Sequence, residues 1–194
     1  MAGQFEPAPG GGAAVALDEV EVSILRSLAV QLLELIGPGD EPAADDDLFA
    51  SIFSDGPTEP PTDPALARLF PNAYGDDDSD DKLRAYSSEF RRFTENDLRS
   101  RKREDGIAVV RTLDSLSAPG AGGAVLTLTA DDCRHWLGAL NDLRLTIGTR
   151  LEVSDEDESG ELYRLPDSDP RKPMVMAYLW LGALQESLVE TLLP

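Results

Sequence analysis

The chain has 194 residues, with 37 Asp and Glu against 17 Lys and Arg, a formal net charge of −20. That length suits one domain with a substantial core, and the charge disfavours any general attraction to nucleic acid or anionic lipid. Cys133 is the only cysteine, which excludes an intrachain disulfide.

The first residues, MAGQFEPAPGGG, carry neither the basic nor the apolar region of a secretory signal. The longest stretch without a strongly polar residue, 174 to 184, falls well short of the roughly 20 apolar residues of a membrane span. A cytoplasmic protein without a membrane segment is the expectation. Residues 1 to 13 read as a disordered lead, and 14 to 193 as a single helical domain.

AVAL, residues 14 to 17, is short and apolar and runs into a helix that opens at Asp18. Asp18 and Glu21 have capping-box spacing, and Ile24, Leu25, Leu28, Leu32, Leu35 and Ile36 form a helical stripe. The loop 37 to 63, rich in Asp and Pro, holds at most one turn around DLFASIF. Asp63 and Pro64 then cap a short helix, PALARLF. The acidic loop 75 to 81 places carboxylates at the positive end of the next helix. Thr94 with Asp97 reads as a fresh N-terminus, which splits this region into helices of about 80 to 92 and 95 to 117.

SAPGAGG is a linker and VLTLT, 125 to 129, alternates as a strand. TADD caps a long helix over about 131 to 151, and a third acidic loop, 152 to 172, precedes a last helix over about 173 to 192. The expected architecture is mainly α: a bundle of five to six helices carrying a two-stranded ribbon built from 14–17 and 125–129, because two short strands are marginal unless they pack on helices.

The pentapeptide WLGAL occurs at 136 to 140 and again at 180 to 184. In the first helix Trp136, Leu140, Leu143, Ile147 and Leu151 share a face; in the second, Ala177, Leu181, Leu184 and Leu188 do. Both helices are apolar over much of their circumference, which predicts central positions. Glycine in a helix interior costs roughly 1 kcal/mol relative to alanine, so Gly138, Gly148 and Gly182 point to close approach of a neighbouring helix. The flanks of the two copies differ, so packing explains the repetition better than duplication does.

No nucleophile elbow, phosphate loop or dinucleotide fingerprint is present, so no catalytic residue and no cofactor is assigned. Asp155, Asp157 and Ser159 fall on the first positions of a calcium-loop spacing, but Pro166 stands where the bidentate carboxylate belongs; this is a weak metal candidate. His135 is the only histidine and lacks companions for a transition-metal site. Cys133 sits in the first turn of a helix, where the dipole could lower its pKa, but His135 lies off its face and a dyad is not expected.

Residues 82 to 111 hold nine of the 17 basic residues against five acids. That segment, with Arg99, Arg101, Lys102 and Arg103 at its centre, reads as a helical face paired with the acidic loops, or as a basic patch for an acidic partner. Nucleic acid comes third, because the surrounding field repels phosphate. Arg91, Arg92, Asn141, Asp142, Arg144, Arg150, Gln185 and Glu186 lie in or near apolar helices, where polar groups must be paired or wet. They read as a structural polar network or partner surface, with a ligand pocket near Asp142, Arg144 and Glu186 as the alternative.

The strings LDEVEVSILRSLAVQLLELI, DPALARLFPNAY, EFRRFTENDLR, LNDLRLTIGTRL and WLGALQESLVETLL resemble, in order and spacing, an uncharacterised actinobacterial family known only as a domain of unknown function. The resemblance implies no established activity. It implies a gene neighbourhood that often includes the Clp-protease adaptor ClpS, and hence a place near Clp-dependent proteolysis. The sequence therefore points to a regulatory or accessory protein that binds another protein. The alternatives are a small-molecule-binding or enzymatic bundle and a transcription-related regulator acting through 82 to 111.

Overall fold

A computed structural model describes residues 3–38, 56–75, 80–116, 123–153 and 161–193. The predicted turn at DLFASIF and the candidate calcium loop at Asp155, Asp157 and Ser159 lie outside the described residues. The elements are β1 (Glu6–Ala8), β2 (Gly12–Leu17), α1 (Glu19–Ile36), α2 (Pro64–Leu69), α3 (Asp81–Asp114), β3 (Ala124–Leu128), α4 (Ala130–Arg150), a 3-10 turn (Glu161–Arg164) and α5 (Lys172–Leu192). The fold is mainly α, with five α-helices and a small antiparallel sheet among the described residues.

The helix starts follow from their caps. Asp18 accepts from Glu21 N at 2.8 Å while the Glu21 carboxylate accepts from Asp18 N at 2.9 Å, so a reciprocal capping box opens α1. Thr129 and Asp132 do the same for α4, and Asp63 accepts from Ala65 N and Leu66 N at the head of α2. Each arrangement satisfies amide groups that the first turn would otherwise leave unbonded.

Two expectations about element boundaries are overturned. The lead is ordered: β1 pairs with β2 through Pro7↔Ala13, and the turn between them uses Gly10 and Gly11 at φ 81° and 76°, a region that glycine enters without steric cost. Phe5 is buried, its ring meets Trp136 edge-on at 5.8 Å, and its backbone bonds Ser187 and Thr191 of α5. The ribbon therefore has three strands, in the order β1-β2-β3. The second correction concerns the split at Thr94. α3 is one helix of 34 residues, because the Thr94 hydroxyl donates to Phe90 O at 2.8 Å and so bonds back into the preceding turn instead of capping a new one.

β2 pairs with β3 from Ala13↔Leu128 to Leu17↔Ala124. With a side-chain period of two, Ala13, Val15, Leu17, Leu126 and Leu128 face inward while Val125 and Thr127 face out. The inner face lies on α4, which also packs against α1, α2, α3 and α5 and is the hub of the molecule. Trp136 is fully buried there and donates to Thr112 Oγ1 at 2.9 Å. α5 is not central as predicted: Leu181, Leu184 and Leu188 are buried, but Met174, Met176, Leu179 and Val189 are exposed. The two WLGAL segments thus occupy an inner helix and an outer one.

Candidate functional site

The polar residues of α4 leave it on two sides. Residues 135, 138 and 142 are spaced by three and four and face α3; residues 144 and 148 face α5. Toward α3, Lys102 Nζ lies 2.6 Å from Asp142 Oδ1, with Asp142 2% exposed. One turn back, Asp105 Oδ1 is 2.8 Å from His135 Nδ1. Burial pushes the Asp142 carboxyl above the ordinary carboxylate range against the opposing pull of Lys102. Burial likewise raises Asp105, against its bond to His135. Gly138 makes this seam possible, because a Cβ there would stand 2.2 Å from Asp105 Oδ2.

Toward α5, Arg144 Nη1 donates to Gln185 Oε1 at 2.6 Å and the guanidinium lies 5.4 Å from the centre of the Tyr178 ring. Two glycines seat this pair. A Cβ at Gly148 would come within 3.3 Å of the Tyr178 ring, and one at Gly182 within 3.5 Å of Arg144 Nε. Each WLGAL glycine therefore lies beneath a charged side chain from the neighbouring helix, a carboxylate at Gly138 and a guanidinium at Gly182. This is the close approach that the sequence predicted, made by side chains rather than by backbones.

The residues predicted as one polar network are distributed among several. Asp142 joins Lys102, Arg144 joins Gln185, and Arg150 reaches Asp63 at the head of α2 at 2.6 Å. Asn141 is exposed, and its side chain favours the ionised form of the neighbouring Asp142. Arg91 is buried, pairs with Glu95, and donates to Phe70 O at 3.0 Å and Asn72 Oδ1 at 2.9 Å. Arg92 is exposed, with its guanidinium 5.4 Å from the Phe93 ring centre. Glu186 is exposed and lines a cleft with Arg144 and Gln185. Asp142 and Arg144 therefore do not share a site.

At its centre the basic segment is largely turned inward, whereas Lys82, Arg84, Arg92 and Arg111 are exposed. Arg99 donates to Ile36 O and to Glu95 at 2.7 Å, and its guanidinium lies 4.4 Å from the Phe70 ring centre. Arg103 donates to Gly37 O. These two arginines supply the positive charge at the C-terminal carbonyls of α1, whose own last turn has no basic residue. With Lys102 held by Asp142, Arg101 alone of the four is exposed. Sequence reasoning passed over Glu95, although its i−4 and i+4 spacing to Arg91 and Arg99 was available as a signal. It also passed over Asp105, Tyr178 and Arg68, which only the packing brings to these seams.

Cys133 is fully buried, and burial raises its thiol pKa rather than the helix dipole lowering it. Among the described residues no group of three or more His, Cys, Asp or Glu could hold a metal ion, and no helix is long and apolar enough to cross a membrane.

A further surface stands out on α3. Tyr86, Phe90 and Phe93 recur at steps of four and three and are 53%, 50% and 64% exposed. Tyr74 extends the patch, with its ring 5.9 Å from Tyr86 and 6.4 Å from Phe90. The buried residues Ser87, Arg91 and Glu95 mark the face turned to the body, so this stripe looks outward.

No solved structure matches the chain. By sequence, the chain is 32% identical to the oxidative stress regulator AosR of Mycobacterium tuberculosis over 181 residues, covering 89% of this chain and 78% of that protein. The same figures hold for the oxidative stress regulator AosR of Mycobacterium bovis. The model of the family described as domain of unknown function DUF2017 matches residues 2–192, and the chain belongs to that family.

Proposed function

We propose that the chain is a regulatory protein that acts by binding a protein partner through the outward aromatic stripe of α3. The carrying observation is the exposure of Tyr86, Phe90 and Phe93 on a helix whose opposite face is buried. Large aromatic side chains are the residues most enriched at the energetic centres of protein interfaces, and their clustering on one outward face marks an interaction surface. The name carried by the mycobacterial relatives, a regulator, agrees with this role. A cytoplasmic setting suits such a protein. The Clp connection implied by gene neighbourhood has no support in the fold or in the relatives' names.

Action on nucleic acid through 82 to 111 is disfavoured, because Arg99, Lys102 and Arg103 are engaged inside the molecule. The test is capture from native lysate by the whole chain beside a Tyr86→Glu, Phe93→Glu double variant. Both positions are exposed, so the variant keeps its fold. The expected result is a protein retained by the unsubstituted chain and reduced about tenfold or more by the variant, a loss of about 1.4 kcal/mol or more. Capture that is absent, or indifferent to the two substitutions, overturns the reading.

A further inference from the structure

The cleft along α4 and α5 has a chemistry of its own, independent of the aromatic stripe. It consists of two adjoining hollows that share Arg144 and Tyr178. One, of about 760 Å³, is lined further by Gly182, Gln185, Glu186 and Glu190. The other, of about 560 Å³, is lined by Arg68, Gly148, Thr149 and Glu152. Both volumes lie within the range typical of small-molecule sites, about 300 to 1,000 Å³.

Charge makes the cleft unusual. In a chain with 37 acidic residues, neither Arg68 nor Arg144 has a carboxylate partner among the described residues. Arg144 is nevertheless a built feature. Its guanidinium rests over Gly182 and beside the Tyr178 ring, Gln185 fixes one nitrogen at 2.6 Å, and Nε is buried without a hydrogen-bond partner. Arg68 approaches from α2, Glu186 and Glu190 from α5, and Glu152 stands in the hollow of Arg68, so the cleft is lined by guanidinium and carboxylate groups together.

A simple anion meets the repulsion of a molecule carrying −20, and a simple cation gains nothing from the two arginines. A ligand bearing both charges gains from both kinds of side chain. We propose that this cleft binds a small zwitterion of amino-acid or dipeptide type, its carboxylate on Arg144 and Arg68 and its ammonium toward Glu186 and Glu190. Asp142 has no part in it, since it faces α3.

The test uses three probes on the whole chain, followed by NMR titration: alanylalanine, N-acetylalanine, which keeps only the carboxylate, and alaninamide, which keeps only the ammonium. The dipeptide is expected to bind saturably in the millimolar range, and each half-charged probe about tenfold more weakly. Arg144→Gln is expected to weaken the dipeptide about tenfold, and Arg68→Gln, an exposed change that leaves the fold intact, by about three- to fivefold. Absence of saturable binding, equal binding of all three probes, or indifference to both substitutions overturns the proposal. The acids 155 to 158 follow the cleft residue Val153 in sequence. Binding that appears only after Asp155→Asn, Glu156→Gln, Asp157→Asn and Glu158→Gln would make those side chains the native occupants and would also overturn it.

Discussion

The difference between Gly138 and Gly182 is a matter of little more than an ångström, and it decides how each tolerates a side chain. At Gly182 a methyl group would sit 3.5 to 3.7 Å from Arg144 atoms, an ordinary contact. Gly182→Ala should therefore leave stability unchanged or raise it by up to about 1 kcal/mol through helix propensity. At Gly138 the same methyl would displace the Asp105 carboxylate and break its bond to His135. The propensity gain of about 1 kcal/mol then opposes the loss of a hydrogen bond of similar size. Urea unfolding at neutral pH should show a net change below about 1 kcal/mol, while the proton affinity conferred on Asp105 by burial disappears. The sequence disclosed that these glycines had tertiary reasons, but not what rests on them. Helical phase did carry one further point: Asp142 and Arg144, two positions apart, diverge by about 200°, so no single pocket could hold both.

The continuity of α3 bears on the whole arrangement of charge. Had Thr94 been a cap, Thr94→Ala would cost about 1 kcal/mol. Because its hydroxyl only bonds back to Phe90 O, the change to a better helix former should be neutral or stabilising by a few tenths of a kcal/mol. Denaturant midpoints of the two proteins check this. At the next residue, Glu95 joins Arg91 and Arg99 at 3% exposure, and Glu95→Ala should cost about 3 to 5 kcal/mol, because it leaves a buried guanidinium without its counter-charge. One sign was misjudged from sequence and the other passed over, for one reason: a cap-like Thr-x-x-Asp and an i, i+4 ion pair are local patterns whose meaning is set by what packs against the helix. The capped starts of α1, α2 and α4 were legible because a cap is satisfied within its own turn.

Taken together, the carboxylates give the molecule a definite pH response. Burial makes Asp105 and Asp142 hold protons more tightly when folded than when unfolded. Their contribution to stability grows as the pH falls through the window between the raised and ordinary values, and is lost as the pH rises. Asp63, Asp114, Asp131, Asp132 and Asp169 lie below the ordinary range, chiefly through side-chain hydrogen bonds, to arginines except for Asp132, whose leading partner is Thr129. Their contribution is complete above the ordinary value and is lost as the pH falls through the depressed ones. Stability should therefore peak near the ordinary carboxylate range, and Asp105→Asn should flatten the rise that precedes it as the pH falls, in a series of urea midpoints. At this scale the helical class was legible from hydrophobic periodicity. The third strand was not, because Glu-Pro-Ala carries no alternation and acquires its place only by pairing across the Gly10–Gly11 turn.

Cys133 offers a clock. Its sulfur is enclosed where β2 lies across the first turn of α4, with Ala13 against it, and the chain has no other thiol. A thiol reagent added to the native protein can react only during excursions that lift the sheet from the hub helix. The labelling rate therefore reports how often that seam opens, without any engineered probe. Comparing it in Phe5→Ala, which removes the ring braced on Trp136, would show whether the amino-terminal strand is the latch that sets the interval.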